Sequence, residues 1–257
     1  MLNMTNIGKL GQLPHNTELF VGVIRDANAL ARADNPNLSH DDSEYQAARD
    51  AFITDLTSNY EGQQVPTCKN CTMEMAEGFH IHHKDGNHTN NKPDNFEINC
   101  PFCHYTYHLG WVGANSLGTM IYAPSIPQAT LNQIQAICYA HEYIINATPK
   151  KAAHYSKLKQ QSHGLNTLIQ SLEAMKAVIQ RDFKTTSPEH FANAFMRMSE
   201  DEYANRAVGT FSGIRLLYDK TQFQGEIEMF AKHSLSMNDI SSPNNPAQWV
   251  AQAKQLK

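Results

Sequence analysis

Two cysteine pairs, Cys68-Lys69-Asn70-Cys71 and Cys100-Pro101-Phe102-Cys103, constrain this chain more than any other feature of its sequence. A CxxC turn presents two thiols to one point, and two such turns complete a tetrahedral set of four sulfurs. The competing fate is oxidation. The first 26 residues hold no basic segment followed by an apolar core, so no secretory signal is read and a reducing, cytoplasmic location is expected. Paired CxxC turns in that setting read as a closed structural zinc site whose binding free energy is folding free energy. The fifth cysteine, Cys138, falls on the apolar face of a helical pattern and reads as core.

Charge narrows what such a module can grip. The 257 residues carry a formal net charge of −4, and 41% are hydrophobic against 18% charged. That balance supports a buried core and argues against disorder. It is a poor balance for a chain that mainly holds phosphate backbones. Within 65–112, Lys69, Lys84 and Lys92 face Glu74, Glu77, Asp85, Asp94 and Glu97, three positives against five negatives. No apolar run of 18 residues exists, so no direct membrane insertion is expected.

Periodicity places the elements. Residues 18–33 read as a strand running into a short helix, and Ser43 as the N-cap of a helix with Tyr45, Ala48, Phe52 and Leu56 on one face. Residues 117–124 predict a short strand ended by Pro124, and 125–148 a helix with Leu131, Ile134, Ile137, Cys138, His141 and Ile145 on one side. A helix is expected over 157–183, interrupted or started at Gly164. Ser187-Pro188-Glu189 predicts a capped helix start, and Ser199 with Glu202 a capping box. Segments 211–219 and 221–233 are both expected to be helical, and 241–250 a loop into a last short helix.

Between the knuckles stands HHKDGNHTNNKPDNFEIN, and the second knuckle is followed at once by His104. A doubled His, an Asp-Gly turn, a later Asn and a closing CxxCH resemble the ββα-metal motif of the HNH nuclease family. That resemblance implies His82 as a divalent-metal ligand, His83 as the general base, Asn95 as the residue that orients the base or holds the turn, and His104 as a second metal ligand. A neutral imidazole can take a proton near pH 7, and a bound cation such as Mg2+ lowers the pKa of a water beside it. Neighbouring strand residues point to opposite faces, so His82 and His83 converge only on a twisted hairpin. His80, His88 and His108 read as surface or supporting residues, with His108 able to support His104 one turn earlier.

Beyond the second knuckle the chain resembles the IcmJ/DotN family of type IVB (Dot/Icm-type) secretion systems. A Gly-rich bend over 110–118, a short apolar strand ending at Pro124 and a helix opening Gln128-x-x-Leu131-Asn132 carry the likeness, with 211–233 resembling the family's C-terminal segment. The resemblance implies a cytoplasmic subunit, peripheral to the inner membrane, that docks the C-terminal cytoplasmic tail of the coupling ATPase and sits among other coupling-complex subunits. The chain departs from that family in keeping His82-His83 and His104.

The expected fold is α+β, a small HNH-like ββα zinc module embedded in a mostly helical protein: an N-terminal strand and helix over 1–64, the module over 65–112 and a mainly helical region over 113–257. The expected function is that of a zinc-binding structural subunit of a secretion or conjugation coupling complex. The alternatives are an HNH endonuclease hydrolysing DNA phosphodiesters, and a plain nucleic-acid-binding zinc module.

Overall fold

The computed structural model describes residues 19–25, 36, 43–59, 65–235 and 244–254. Helix α1 (Ser43–Asn59) precedes a hairpin of β1 (His80–His83) and β2 (Phe96–Asn99), which runs straight into α2 (Pro101–Thr106) and α3 (Leu109–Ala114). Strand β3 (Gly118–Tyr122) leads to the long helices α4 (Gln128–Ala147) and α5 (Tyr155–Ala174), then to α6 (Lys176–Phe183), α7 (Pro188–Met196) and α8 (Glu200–Ala204). Strand β4 (Ile214–Tyr218), α9 (Gln224–Met229), a π-helical turn (Phe230–Ser234) and α10 (Pro246–Lys254) follow. The class is the expected α+β, mostly helical, with two small antiparallel sheets among the described residues, β1–β2 and β3–β4.

Two apolar clusters hold these elements. Tyr45 of α1 packs with Ile81, Phe96 and Ile98 of the hairpin, and Phe52, Ile53 and Leu56 close over them. The face predicted for α1 is therefore the face that covers the hairpin. The larger cluster runs from Leu19 through all four knuckle cysteines to Ile137, Leu168, Phe195, Leu216 and Trp249, so the cysteine segment shares its core with the helical region.

Helix α4 lies at the centre of that core. Every residue from Gln128 to His141 is buried, polar ones included. A helix buried all round must satisfy its polar side chains internally, and two glutamines of α4 do so against β4. The Leu216 amide donates to Gln128 Oε1 at 2.8 Å and Gln128 Nε2 returns a bond to the Leu216 carbonyl at 3.0 Å. Further along, the Tyr218 amide donates to Gln135 Oε1 at 2.6 Å. The two glutamines thus take the place of a third strand.

The structure corrects several expectations. Segment 211–219 is not helical: it holds β4, which pairs with β3 from Gly118↔Tyr218 to Tyr122↔Ile214. All five β4 residues are buried, and a short apolar run gives no period by which to tell strand from helix. Gly164 neither breaks nor starts a helix. It lies inside α5, where an added Cβ would stand 3.2 Å from Val250 of α10, so it serves close helix packing and the break falls at Met175. Residues 19–25 form no strand. Their backbone bonds go to helix ends instead, Gly22 N to the Thr106 carbonyl at 3.0 Å and Leu109 N to the Gly22 carbonyl at 2.8 Å. These satisfy groups that the short helices α2 and α3 leave open. The helix expected over 26–33 lies outside the described residues.

Caps divide the same way. Ser199 and Glu202 form the expected capping box. Ser187 precedes Pro188 as expected but its hydroxyl does not cap α7; its amide donates to Thr185 Oγ1 at 3.1 Å. Ser43 is itself the first residue of α1. At Gly113 an added Cβ would meet the Glu189 backbone nitrogen at 2.3 Å, so α3 and α7 touch backbone to backbone only because a glycine stands there.

Candidate metal centre

The hairpin brings the two knuckles together. Lys69 N donates to the Ile98 carbonyl at 2.9 Å, fixing the first knuckle to β2, and Thr72 N closes its turn on the Cys68 carbonyl at 2.9 Å. Thr72 adopts a left-handed φ of 59° to make that turn. The second knuckle opens α2, with Cys100 as its N-cap accepting from Cys103 N. Cys68, Cys71, Cys100 and Cys103 are all free and buried, and their sulfurs lie within 4.8 Å of one another.

The donor set fits zinc. Four sulfurs each about 2.3 Å from one ion stand about 3.8 Å apart, and Cys71 Sγ and Cys100 Sγ are 3.6 Å apart. A disulfide would need about 2.05 Å. Burial pushes the Cys71, Cys100 and Cys103 thiols above the ordinary thiol value. Burial pushes Cys68 up too, but bonds from its three thiol neighbours outweigh it and hold Cys68 well below that value. Burial disfavours ionising all four thiols together, and a bound cation would favour the thiolate form that metal ligation needs. Asn132 of α4 donates to Cys103 Sγ at 3.4 Å and to Thr106 Oγ1 at 3.0 Å, tying the sulfur cluster to the central helix.

A second cluster begins one residue further on. Since Cys103 faces the sulfurs, its neighbour His104 faces the hairpin. Nitrogens of His82, His104 and His108 lie within 4.8 Å of one another, and all three rings are buried. Their centroids stand 5.6 Å (82–104), 4.8 Å (104–108) and 6.4 Å (82–108) apart. Tyr107 stacks flat on His82 at 4.0 Å and reaches Asn70 in the first knuckle. Burial, then the positive charge its histidine neighbours would carry, lowers His82 to about 3, and the same causes hold His104 well below the ordinary imidazole value. Both rings are neutral at pH 7, as metal donors must be. The buried Nδ1 atoms of His82 and His104 have no hydrogen-bond partner among the described residues. Three imidazoles with no fourth protein ligand grouped with them among the described residues match the open type of site.

His83 points the other way, as alternation along β1 requires. Its ring lies between Tyr45, Phe96 and His88, at centroid distances of 5.7, 5.0 and 5.0 Å. Its Nε2 is 3.2 Å from Asn91 Oδ1; an amide oxygen only accepts, so that nitrogen carries the proton. His83 is 3% exposed and does not line the cavity that opens over His82. Asn95 does not touch His83. It holds the turn: its Nδ2 donates to Asp85 Oδ1 and to the Asn90 carbonyl, both at 2.9 Å, and its Oδ1 accepts from Asp85 N at 3.1 Å.

Three of these parts were missed in the sequence. The spacing His104-x-x-x-His108 was the available signal for His108 as a third member of the cluster. Asn91, which fixes His83, and Asn132, which meets Cys103 from 29 residues away, left none.

Fold and site together define a class: an α+β protein with a buried four-cysteine cluster that could hold a metal ion such as zinc, abutting a second cluster of three imidazoles. Among the described residues no helix is long and apolar enough to cross a membrane. No protein-family model matches the chain. It is similar to the type 4 apparatus protein DotN of Legionella pneumophila, 25% identical over 173 residues that cover 66% of this chain and 74% of that protein. That similarity supports the resemblance to the Dot/Icm-type family.

Proposed function

We propose that this chain is a structural subunit of a Dot/Icm-type secretion or conjugation apparatus, and that it docks the cytoplasmic tail of the coupling ATPase. The similarity to the apparatus protein DotN carries the reading. The buried four-thiol cluster supports it: zinc held there makes the hairpin and α2 a rigid corner, and Asn132 joins that corner to α4. Ordering an extended tail costs entropy, which a broad, pre-formed surface offsets. Tagged full-length protein recovered from membranes, followed by mass spectrometry, tests the reading. A coupling ATPase is expected among the captured proteins, and its absence from membranes that contain it sinks the docking role.

The three imidazoles favour a second reading, an HNH-type endonuclease. His82, His104 and His108 would hold a divalent ion, and such an ion supplies positive charge and lowers the pKa of a bound water. His83 would serve as base, kept in one orientation by Asn91. The burial of His83 away from the cavity makes this the lesser reading. Plasmid nicking by wild type with Mg2+ or Mn2+, abolished by His83→Ala, would reverse the order.

A further inference from the structure

A cavity of about 670 Å³ opens over His82. One wall belongs to the hairpin and its loop, with His82, Lys84 and His88; the other belongs to Arg25 in the N-terminal segment and to Arg206 just after α8. The acids near it are already engaged. Glu200 pairs with Arg25 at 3.2 Å. Asp85 accepts from the Asn87 amide at 2.8 Å, from Asn90 at 2.7 Å and from Asn95 at 2.9 Å.

Arg206 is different. Its Nε donates to the Val21 carbonyl at 2.9 Å, its Nη1 to the Tyr203 carbonyl at 2.9 Å, and its guanidinium lies over the Tyr203 ring at 4.0 Å. These contacts fix the group without neutralising it, and among the described residues it forms no ion pair. Burial lowers its pKa from the ordinary arginine value. A partly buried, uncompensated guanidinium is costly, and an arriving anion removes that cost. A planar fork held rigid by two carbonyls and a ring is also pre-organised for an oxyanion.

We propose that this cavity receives a single carboxylate of an acidic polypeptide segment, held by Arg206 with Lys84 at the rim. The choice of a polypeptide rests on the docking reading above and places one of its contacts. A nucleic-acid strand presents a charge at every step and is held by a row of cations. The cavity offers one unmatched guanidinium and one lysine, in a chain of net charge −4, which suits one anionic group.

The test uses full-length, zinc-loaded protein and a fluorescein-labelled hexaglutamate peptide followed by anisotropy in low salt. Wild type binds, and Arg206→Gln weakens binding about tenfold, the loss expected of a charge-assisted fork. Arg206 also holds the Val21 and Tyr203 carbonyls, so its loss could disturb the fold. The exposed Lys84 supplies an independent arm: Lys84→Glu weakens binding several-fold with an unchanged thermal melt. Absence of peptide binding by wild type, or an affinity unchanged from wild type in both variants, overturns the proposal. So does a 20-nucleotide single strand that binds more tightly than the peptide and loses affinity in both variants. Capture of the coupling ATPase by wild type and Arg206→Gln alike would remove this site and leave the docking reading standing. Failure of wild type to capture it would remove the docking reading.

Discussion

Cys103 and His104 are neighbours in α2, yet they serve clusters of opposite character. The four sulfurs are sealed in the main core, with Asn132 bonded to one of them and no cavity beside them among those described. The three imidazoles are buried too, but His82 forms part of a cavity wall. A closed set of four donors suits an ion that holds structure, while a set of three beside a cavity leaves room for an outside ligand. One short helix presents both because successive residues on it face different ways. The difference teaches that the sulfur cluster comes first: it fixes how α2 lies, and the imidazoles inherit their positions.

Cys100→Ser is the strongest challenge to that order. Apparent binding energies of structural zinc run to about 10–16 kcal/mol, at or above the ~5–15 kcal/mol that holds a typical domain. The variant is expected to lose zinc and unfold the module, imidazole cluster included, by metal analysis and circular dichroism. A folded, zinc-free variant would break the comparison outright. On the endonuclease reading, His104→Ala should abolish binding of a second ion while one thiol-bound zinc remains, read by cobalt titration, in which thiolate and imidazole ligands absorb differently. Mild EDTA should do the same to wild type without altering its circular dichroism. If the chelator unfolds the protein at the same concentration that removes the first ion, the two sites are not separable. Asn132→Ala should cost about 1–3 kcal/mol, the usual penalty for leaving buried groups unpaired, and lower the zinc affinity of the sulfur cluster. His83→Gln should move stability least, by about 1 kcal/mol, and leave both ion stoichiometries unchanged.

Much of the sulfur cluster was legible in the sequence because CxxC spacing is local chemistry. So were α1, β3 and α4, whose apolar spacing or bounding proline states the element directly. What was not legible depends on the partner. The run Ile214–Tyr218 has no period of its own and becomes a strand because β3 and two glutamines of α4 satisfy its backbone. The polar residues of α4 are buried because partners distant in the sequence use them: β4 takes Gln128 and Gln135, Cys103 takes Asn132 and Asn244 takes Gln133. His108 joins the imidazoles only through the bend between α2 and α3, and Arg206 comes to line the same cavity as His82 only across the folded molecule.

The glutamine-lined margin of β4 has a counterpart on β3, where Met120 N donates to the Thr186 carbonyl at 2.8 Å and Tyr122 N to the Met175 carbonyl at 3.4 Å. Neither border of this ribbon offers a template onto which a foreign strand could zip. The ribbon is thereby guarded against fibre-like stacking between copies, and an incoming chain must be read by side chains and shape instead of by lengthening a sheet.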